Sequence, residues 1–168
     1  RPETEELVEW IIDYANIVNK PLSILDIGTG SGCIPIALQL ALPNAKISSI
    51  DISKAAIEVA KKNAQTHEVA IEWIEQDILQ TKQLKERYDI IVSNPPYVKN
   101  NEKPEIKENV LEFEPHLALF VEDGDPLIFY REIMKYASTN LSENGFLYFE
   151  INQYLKTEME ELANNLGF

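Results

Sequence analysis

The apolar positions of the chain follow two alternating periods, one typical of helices and one typical of buried strands. Over residues 4–19 apolar side chains recur every three or four positions, which predicts a first helix with one buried face that includes Trp10. The runs at residues 23–27 and 46–50 predict two strands. Residues 34–42 between them predict a helix that Pro43 ends.

The rest of the chain continues this alternation. Ser53 is a predicted N-cap for a helix whose buried stripe contains Ala56, Ile57, Ala60 and Ala64. Residues 69–73 alternate as a third strand, and residues 88–93 predict a fourth strand that is buried on both faces. After an irregular, acidic stretch at 98–124, Asp125 as N-cap begins another helix, residues 145–151 predict a fifth strand, and a last helix ends at Gly167.

Strands that are separated by helices of this length predict βαβ units, and therefore an α/β fold with a mainly parallel sheet and helices on both faces. In such folds ligands bind at the carboxyl ends of the strands. Four unusual groups fall at those ends, and we expect them to converge: residues 28–32, Asp51, Asp77 and residues 94–97.

Length and composition agree with one domain that spans residues 1–168. No apolar run approaches the roughly 18 residues that a membrane-spanning helix needs. The single cysteine, Cys33, cannot form an intrachain disulfide and is expected to be a small buried helix residue, so a reducing cytoplasm fits best. One cysteine beside only two histidines gives no metal-site spacing, and no metal is expected.

The net charge of −13 bears on the class of partner. Proteins that hold nucleic acid usually place Lys and Arg against phosphates, and here 15 basic residues face 28 acidic ones. Extended binding to DNA or RNA is therefore disfavoured. Net charge does not exclude a local basic patch.

The loop after the first predicted strand contains Gly28, Thr29, Gly30, Ser31 and Gly32. Glycines let the backbone turn tightly and approach a ligand, and the N-terminus of the following helix favours a carboxylate or a phosphate. The dinucleotide fingerprint needs its third glycine at position 33, where this chain has Cys33. Glycines at positions 28, 30 and 32 suit an amino-acid-bearing nucleoside instead.

Two aspartates extend this predicted cofactor site. Asp51 lies at the end of the second strand, where a carboxylate can accept hydrogen bonds from ribose hydroxyls; for Asp51 taken alone, a capping or surface carboxylate is the alternative. Asp77 with Ile78 could bracket an adenine through its amino group and its face. A turn aspartate is the alternative interpretation of Asp77.

The segment Asn94, Pro95, Pro96 and Tyr97 carries the most chemical information. Each proline lacks an N–H group and restricts the residue before it, so the turn is stiff and offers carbonyl acceptors without competing donors. The Asn94 side-chain oxygen and a backbone carbonyl can hold the two protons of a planar NH₂ group, and Tyr97 can cover its plane. A rigid surface turn is the alternative.

Together these segments resemble the HemK/PrmC-type methyltransferases, which modify the glutamine of the Gly-Gly-Gln motif in peptide chain release factors. The glycine loop is common to many methyltransferases, and the Asn-Pro-Pro-Tyr turn also occurs in adenine-N6 DNA enzymes and guanine-N2 RNA enzymes. The opening Arg-Pro-Glu-Thr-Glu and a Glu-Pro block discriminate between them. The resemblance rests on residues 1–5, 25–32, 51–53, 63–64, 91–97, 114–115, 118–119 and 149–151.

The resemblance implies a Rossmann-like class I methyltransferase fold and S-adenosylmethionine as cofactor, with S-adenosylhomocysteine as product. It implies that residues 28–32 and Asp51 bind the cofactor and that Asn94 contacts both cofactor and substrate. Pro95, Pro96 and Tyr97 would complete the glutamine pocket, with Asn94, Pro95 and Tyr97 as the catalytic set. It also implies a substrate-docking helical domain before Arg1 and a strand hairpin after Phe168, so we expect a truncated methyltransferase domain without that C-terminal hairpin.

Three classes of function follow from these observations. The first is methyl transfer to the side-chain amide of a release factor glutamine. The second is an adenine-N6 or guanine-N2 amino-methyltransferase that acts on DNA or RNA, because those amino groups are also planar. The third is a non-catalytic fragment that binds the cofactor or another protein.

Overall fold

A five-stranded parallel sheet forms the centre of the molecule. The computed structural model describes residues 1–81, 84, 86–96, 98–99, 120–121 and 125–168. The strands in chain order are β1 (Ser23–Ile27), β2 (Lys46–Asp51), β3 (Glu72–Glu75), β4 (Tyr88–Ser93), β5 (Val98–Lys99), β6 (Phe120–Val121) and β7 (Leu141–Phe149). The main sheet has the order β3-β2-β1-β4-β7, and β5 and β6 form a separate parallel pair.

Helices cover both faces of this sheet. They are α1 (Pro2–Val18), α2 (Cys33–Ala41), α3 (Lys54–Thr66), α4 (Ile128–Asn140) and α5 (Lys156–Leu166), with single 3₁₀ turns at Ile78–Gln80 and Gln153–Leu155. Helices α1 and α2 pack on one face of the sheet, and α3 contacts α2, β2 and β3. Helix α4 packs on the opposite face and holds α5 against its outer side.

Alternation along the central strands explains why the sheet needs two apolar layers. On β4, Ile90 and Val92 join the core under α1 and α2, whereas Ile91 between them joins the core under α4. All three side chains are fully buried, as expected for a parallel strand with helices on each side of the sheet. The predicted α/β class and the parallel sheet are confirmed.

Several predicted boundaries differ from the structure. Strand β3 begins at Glu72 rather than at Val69, and β7 spans Leu141–Phe149 rather than residues 145–151. Residue Leu141 pairs with Tyr88 and Phe146 pairs with Ile90, so residues 142–145 form a bulge that periodicity cannot reveal. The predicted irregular stretch contains β5 and β6; residues 100–119 and 122–124 lie outside the described residues.

Three residue-level predictions are wrong. Helix α4 begins at Ile128 with Leu127 as its N-cap, because the Asp125 carboxylate is paired with Arg131 instead of capping the helix. The Trp10 side chain is 55% exposed, since α1 turns Val8 rather than Trp10 toward the core. Cys33 is exposed at the first position of α2. No helix of the described residues is long and apolar enough to cross a membrane.

Candidate active site

One rung of the sheet brings the predicted site residues together. Ile27 pairs with Ile50 on one side and with Ser93 on the other, and Ser93 pairs in turn with Phe149. The residues that follow this rung on β2, β1, β4 and β7 are Asp51, Gly28, Asn94 and Glu150. Because neighbouring strands lie about 4.8 Å apart, these four residues form a continuous row at the carboxyl edge. The predicted convergence of the glycine loop, Asp51 and Asn94 is confirmed.

The glycine loop adopts a backbone that other residues rarely adopt. Gly28, Gly30 and Gly32 have φ values of 83°, 53° and 85°. A Cβ at Gly32 would lie 3.0 Å from the Cβ of Ala60, so this glycine lets α3 pack against the loop. At Gly28 and Gly30 a Cβ would meet no atom of the described residues within 4 Å. These two glycines therefore border open space at the carboxyl edge.

The Asp51 carboxylate fixes the loop from the neighbouring strand. Its Oδ2 accepts a hydrogen bond from the Gly30 N–H at 2.9 Å, and its Oδ1 accepts one from the Ser53 N–H at 2.8 Å. Ser53 in turn caps α3, as predicted, through a bond from the Ala56 N–H. Each carboxylate oxygen can accept a further bond, so Asp51 can still receive the hydroxyl groups of a ribose.

Asp26 is a buried acid directly beneath the loop. Its side chain has no exposed surface, and its Oδ2 accepts a hydrogen bond from the Ser49 hydroxyl at 2.6 Å. Burial raises the pKa of Asp26 to about 7, against the opposing effects of the Ser49 and Thr29 hydroxyls, and Asp51 raises it further. The second oxygen, Oδ1, and the Thr29 hydroxyl nevertheless have no partner with hydrogen-bond geometry among the described residues.

Replacing Asp26 with Asn is expected to remove a pH-dependent loss of stability. The folded-state pKa near 7 lies above the unfolded value of 3.8, so the folded state binds more protons between those values and its stability falls as pH rises through them. In that window the stability of the wild type relative to Asp26→Asn should fall, with a slope that approaches about 1.4 kcal/mol per pH unit. Denaturant titrations at pH 4 to 8 measure this difference, and a difference that stays constant would contradict the shift. Ser49→Ala should move the upper end of the window to higher pH.

The third predicted cofactor element is Asp77 with Ile78, and the contacts of these two residues differ from those of the glycine loop and Asp51. Asp77 caps a 3₁₀ turn: its two oxygens accept bonds from the Leu79 N–H and the Gln80 side chain, both at 2.9 Å. The Ile78 side chain is buried in the core under α4. These are the contacts of a turn aspartate and a core residue, and the adenine-binding role of the pair stays a prediction.

The predicted acceptor turn begins where β4 ends. The fully buried Ser93 donates its hydroxyl to the Ile27 carbonyl at 2.7 Å, which ties the start of the turn to the start of the glycine loop. Asn94 is partly exposed and Pro95 is buried. No described residue forms a hydrogen bond with the Asn94 side chain, so its amide is available to a ligand. Tyr97 lies outside the described residues.

Residues of the carboxyl edge fit a nucleoside that carries an amino acid. This edge combines two open glycine positions of the loop, the Asp51 carboxylate at the end of β2, and two buried oxygens, Asp26 Oδ1 of β1 and Thr29 Oγ1 of the loop, that have no partner among the described residues. Two open clefts lie at the opposite, amino-terminal edge around Pro43, Asn44 and Ala45, and neither contains a predicted site residue. No group of three or more His, Cys, Asp or Glu that could hold a metal occurs in the described residues.

Sequence reasoning missed the buried polar residues that support this edge. Asp26, Ser93 and Glu150 lie within the ranges that carry the family resemblance, but the sequence assigns none of them a role, and each is almost fully buried. A charged or hydroxyl residue inside an otherwise apolar strand was the available signal, because such a residue needs a partner in the folded state. The partners themselves come from other elements and cannot be read from local periodicity.

Comparison with known families decides the class of the protein. Residues 15–125 match the methyltransferase small domain family. The chain belongs to this family. The match covers α2, α3 and the four strands β1 to β4, which carry the glycine loop, Asp51 and Asn94.

Relatives of this methyltransferase small domain extend the match to the whole chain. The chain is 61% identical over its full length to a release factor glutamine methyltransferase of Flavobacterium psychrophilum, of which it covers 60%. It is 47% identical over 95% of its length to a release factor glutamine methyltransferase of Bacteroides thetaiotaomicron, of which it covers 56%. The chain thus spans somewhat more than half the length of these relatives. The resemblance recognised in the sequence is confirmed.

Solved structures support the fold assignment. A ribosomal protein L11 methylase from Lactobacillus delbrueckii subsp. bulgaricus superposes with a TM-score of 0.68 at 20% identity, over 99% of this chain and 69% of that chain. A SAM-dependent methyltransferase from Agrobacterium tumefaciens superposes with a TM-score of 0.66 at 21% identity, over 97% of this chain and 50% of that chain. At such identities the likeness shows the fold alone. The predicted Rossmann-like class I methyltransferase sheet is confirmed.

Proposed function

We propose that this protein transfers a methyl group from S-adenosylmethionine to the side-chain amide nitrogen of the glutamine in the Gly-Gly-Gln motif of peptide chain release factors. The observation that carries the proposal is the row at the carboxyl edge. In this row Gly28 and Asn94 directly follow the paired strands β1 and β4, so the proposed cofactor loop and the proposed acceptor turn would lie about one strand spacing apart. Such adjacency is what a direct transfer between two bound molecules requires.

The relatives support this choice of acceptor. Several proteins that match at least nine-tenths of this chain are named release factor glutamine methyltransferases, at identities of 42% to 61%. Because the chain spans about 60% of the relative at 61% identity, the activity, acceptor and partner of the whole protein are our proposal.

Residues 28–32 and Asp51 would hold the cofactor. The loop backbone at Gly28 and Gly30 allows close approach, and Asp51 would accept the ribose hydroxyls while it keeps its bond to the Gly30 N–H. When bound there, S-adenosylmethionine would supply an electrophilic methyl group on its sulfonium, with a neutral thioether as the leaving group once the acceptor nitrogen has formed its bond to that methyl carbon.

The Asn94 turn would orient the acceptor. The Asn94 side-chain oxygen and a proline carbonyl can each accept one N–H of the glutamine amide, which fixes the plane of that amide and the direction of its nitrogen lone pair. The acceptor nitrogen loses its extra proton to water after the new bond has formed, so the turn needs no strong base. The hydrogen bond from the Ser93 hydroxyl to the Ile27 carbonyl would fix the start of the turn relative to β1.

A transfer assay with two acceptors side by side tests the proposal. The full-length protein is incubated with methyl-labelled S-adenosylmethionine and either a purified peptide chain release factor or adenine- and guanine-containing DNA and RNA. We expect label in the release factor, at the glutamine of its Gly-Gly-Gln motif by mass spectrometry, and not in a release factor with that glutamine changed to alanine.

The remaining outcomes separate the other functions. Label in nucleic acid alone would replace the proposal with an amino-methyltransferase of DNA or RNA, a function that the net charge of −13 disfavours. Binding of the cofactor by calorimetry without transfer to any acceptor would replace it with a non-catalytic cofactor-binding protein. Absence of cofactor binding would reject the site itself.

A further inference from the structure

Glu150 is the fourth member of the row at the carboxyl edge. It follows Phe149, the strand partner of Ser93, and therefore lies beside Asn94 where the acceptor turn begins. Its side chain is only 8% exposed, which is unusual for a glutamate unless a polar partner satisfies it. The partners of this residue show what its burial accomplishes.

Three polar atoms of Glu150 are bonded to three different elements of the fold. Its Oε2 accepts the hydroxyl of Thr4, from the first turn of α1, at 2.5 Å. Its backbone N–H donates to the Ser93 carbonyl at 3.1 Å, and its carbonyl accepts the hydroxyl of the fully buried Tyr130 at 3.1 Å. Residues 146 positions apart in the sequence are thus joined directly beside the acceptor turn.

These bonds continue into the cofactor loop. Ser93, whose carbonyl accepts the Glu150 N–H, donates its own hydroxyl to the Ile27 carbonyl. Ile27 immediately precedes Gly28. A chain of hydrogen bonds therefore runs from Thr4 through Glu150 and Ser93 to the glycine loop, and it passes the residue that precedes Asn94. A displacement at Glu150 would be transmitted to the acceptor turn through the peptide that joins Ser93 to Asn94.

We propose that Thr4 and Glu150 are positioning residues that set the height and direction of the Asn94 turn for the acceptor. This inference rests on the proposed methyl transfer, since it assigns a role within the same site. A hydrogen bond to a buried carboxyl group is among the stronger ones in proteins, and its loss leaves that group without compensation. A resulting shift of about 1 Å at Asn94 is enough to slow a reaction that depends on orientation by up to about 100-fold.

The test compares substitutions at Thr4 that differ only in the hydroxyl. Thr4→Val keeps the shape and removes the donor, whereas Thr4→Ser keeps the donor and removes a methyl group. In the full-length protein with a release factor as acceptor, we expect Thr4→Val to lower kcat about tenfold or more, with the cofactor Kd within about twofold of wild type. Thr4→Ser should restore most of kcat. Thr66→Val, the same change at an exposed position of α3, should leave kcat unchanged.

A second variant and a second measurement complete the test. Glu150→Gln keeps an oxygen that accepts from Thr4, so it should retain more activity than Glu150→Leu. The proton–nitrogen NMR signals of the Asn94 side-chain amide, assigned by their loss in Asn94→Ala, should move in Thr4→Val and stay in place in Thr4→Ser. This measurement needs no acceptor.

The outcomes distinguish the positioning role from the proposed function. Wild-type kcat in Thr4→Val, or a loss of kcat that cofactor affinity or thermal unfolding fully accounts for, would overturn the positioning role. If the wild type transfers methyl to no acceptor, the proposed function fails. The Asn94 amide signals then decide the positioning role alone: a shift in Thr4→Val that Thr4→Ser lacks supports it, and unchanged signals reject it.

Discussion

Asn94→Ala is expected to lower kcat for glutamine methylation by about 10² to 10³-fold, the usual cost of removing one preorganised polar group that contacts the reacting atoms. The side chain is partly exposed at the carboxyl edge and no described residue binds it, so its amide is free for an acceptor. Because the substitution removes a contact to the reacting amide, the loss should appear in kcat more than in the cofactor Kd. Single-turnover transfer from labelled cofactor, with calorimetry of cofactor binding, measures both.

Asn44→Ala provides a matched control for this substitution. Asn44 is an exposed asparagine near the opposite, amino-terminal edge of the sheet, between α2 and β2. The same atoms are removed there without contact with the site, so transfer should equal that of wild type. If Asn94→Ala and Asn44→Ala transfer methyl at the same rate, the acceptor does not bind at the turn after β4, and the proposed orientation of the amide is wrong.

The sequence predicts the central strands well because their burial is uniform. β1 and β4 start and end where their apolar runs do, since a parallel strand covered on both faces has no solvent side to interrupt the run. The positions of Gly28, Asp51 and Asn94 follow from this result. Each of them directly follows or ends an apolar strand, and the strands of a parallel sheet all end at one edge.

Elements near the surface were harder to predict. Trp10 and the start of β3 both lie in elements with one face toward solvent. In such elements, alternative rotations of the helix or alternative strand boundaries bury similar apolar area, so the pattern of apolar residues does not decide between them. Asp125 has the residue type of an N-cap, but Arg131, six residues later, forms an ion pair with its carboxylate. Capping of the helix and pairing with Arg131 would use the same carboxylate oxygens of Asp125. The residue type alone therefore does not decide which of the two contacts forms.

The supporting network of the site could not be predicted from the sequence. Thr4 and Glu150 are 146 positions apart, and Ser49 reaches Asp26 from a neighbouring strand. The two residues of each pair are too far apart in the sequence for a helical or strand period to relate them. They meet only because the folded chain brings their elements together. Thr4, Asp26 and Glu150 nevertheless lie within the motif ranges of the sequence, whereas Ser49 does not. A polar residue in an apolar strand therefore indicates that a partner exists, while the fold decides which partner it is.

Gly28→Ala is expected to weaken cofactor binding at least tenfold, and Gly167→Ala is its matched control. The two glycines have φ values of 83° and 85°, and a Cβ at either would meet no described atom within 4 Å. Alanine in this left-handed backbone costs about 1 to 2 kcal/mol of stability in both variants. Their thermal unfolding should therefore shift by similar amounts.

The two glycines differ in whether they lie beside the proposed cofactor site. Gly28 borders the proposed cofactor site beside Asp51 and Asn94, whereas Gly167 ends α5 and lies outside the row at the carboxyl edge. Calorimetry with S-adenosylmethionine should give a raised Kd for Gly28→Ala and a wild-type Kd for Gly167→Ala. Equal affinities in both variants would show that no cofactor lies against Gly28. Since backbone strain is matched, any excess loss of affinity at Gly28 measures the space that the added methyl group takes from the ligand.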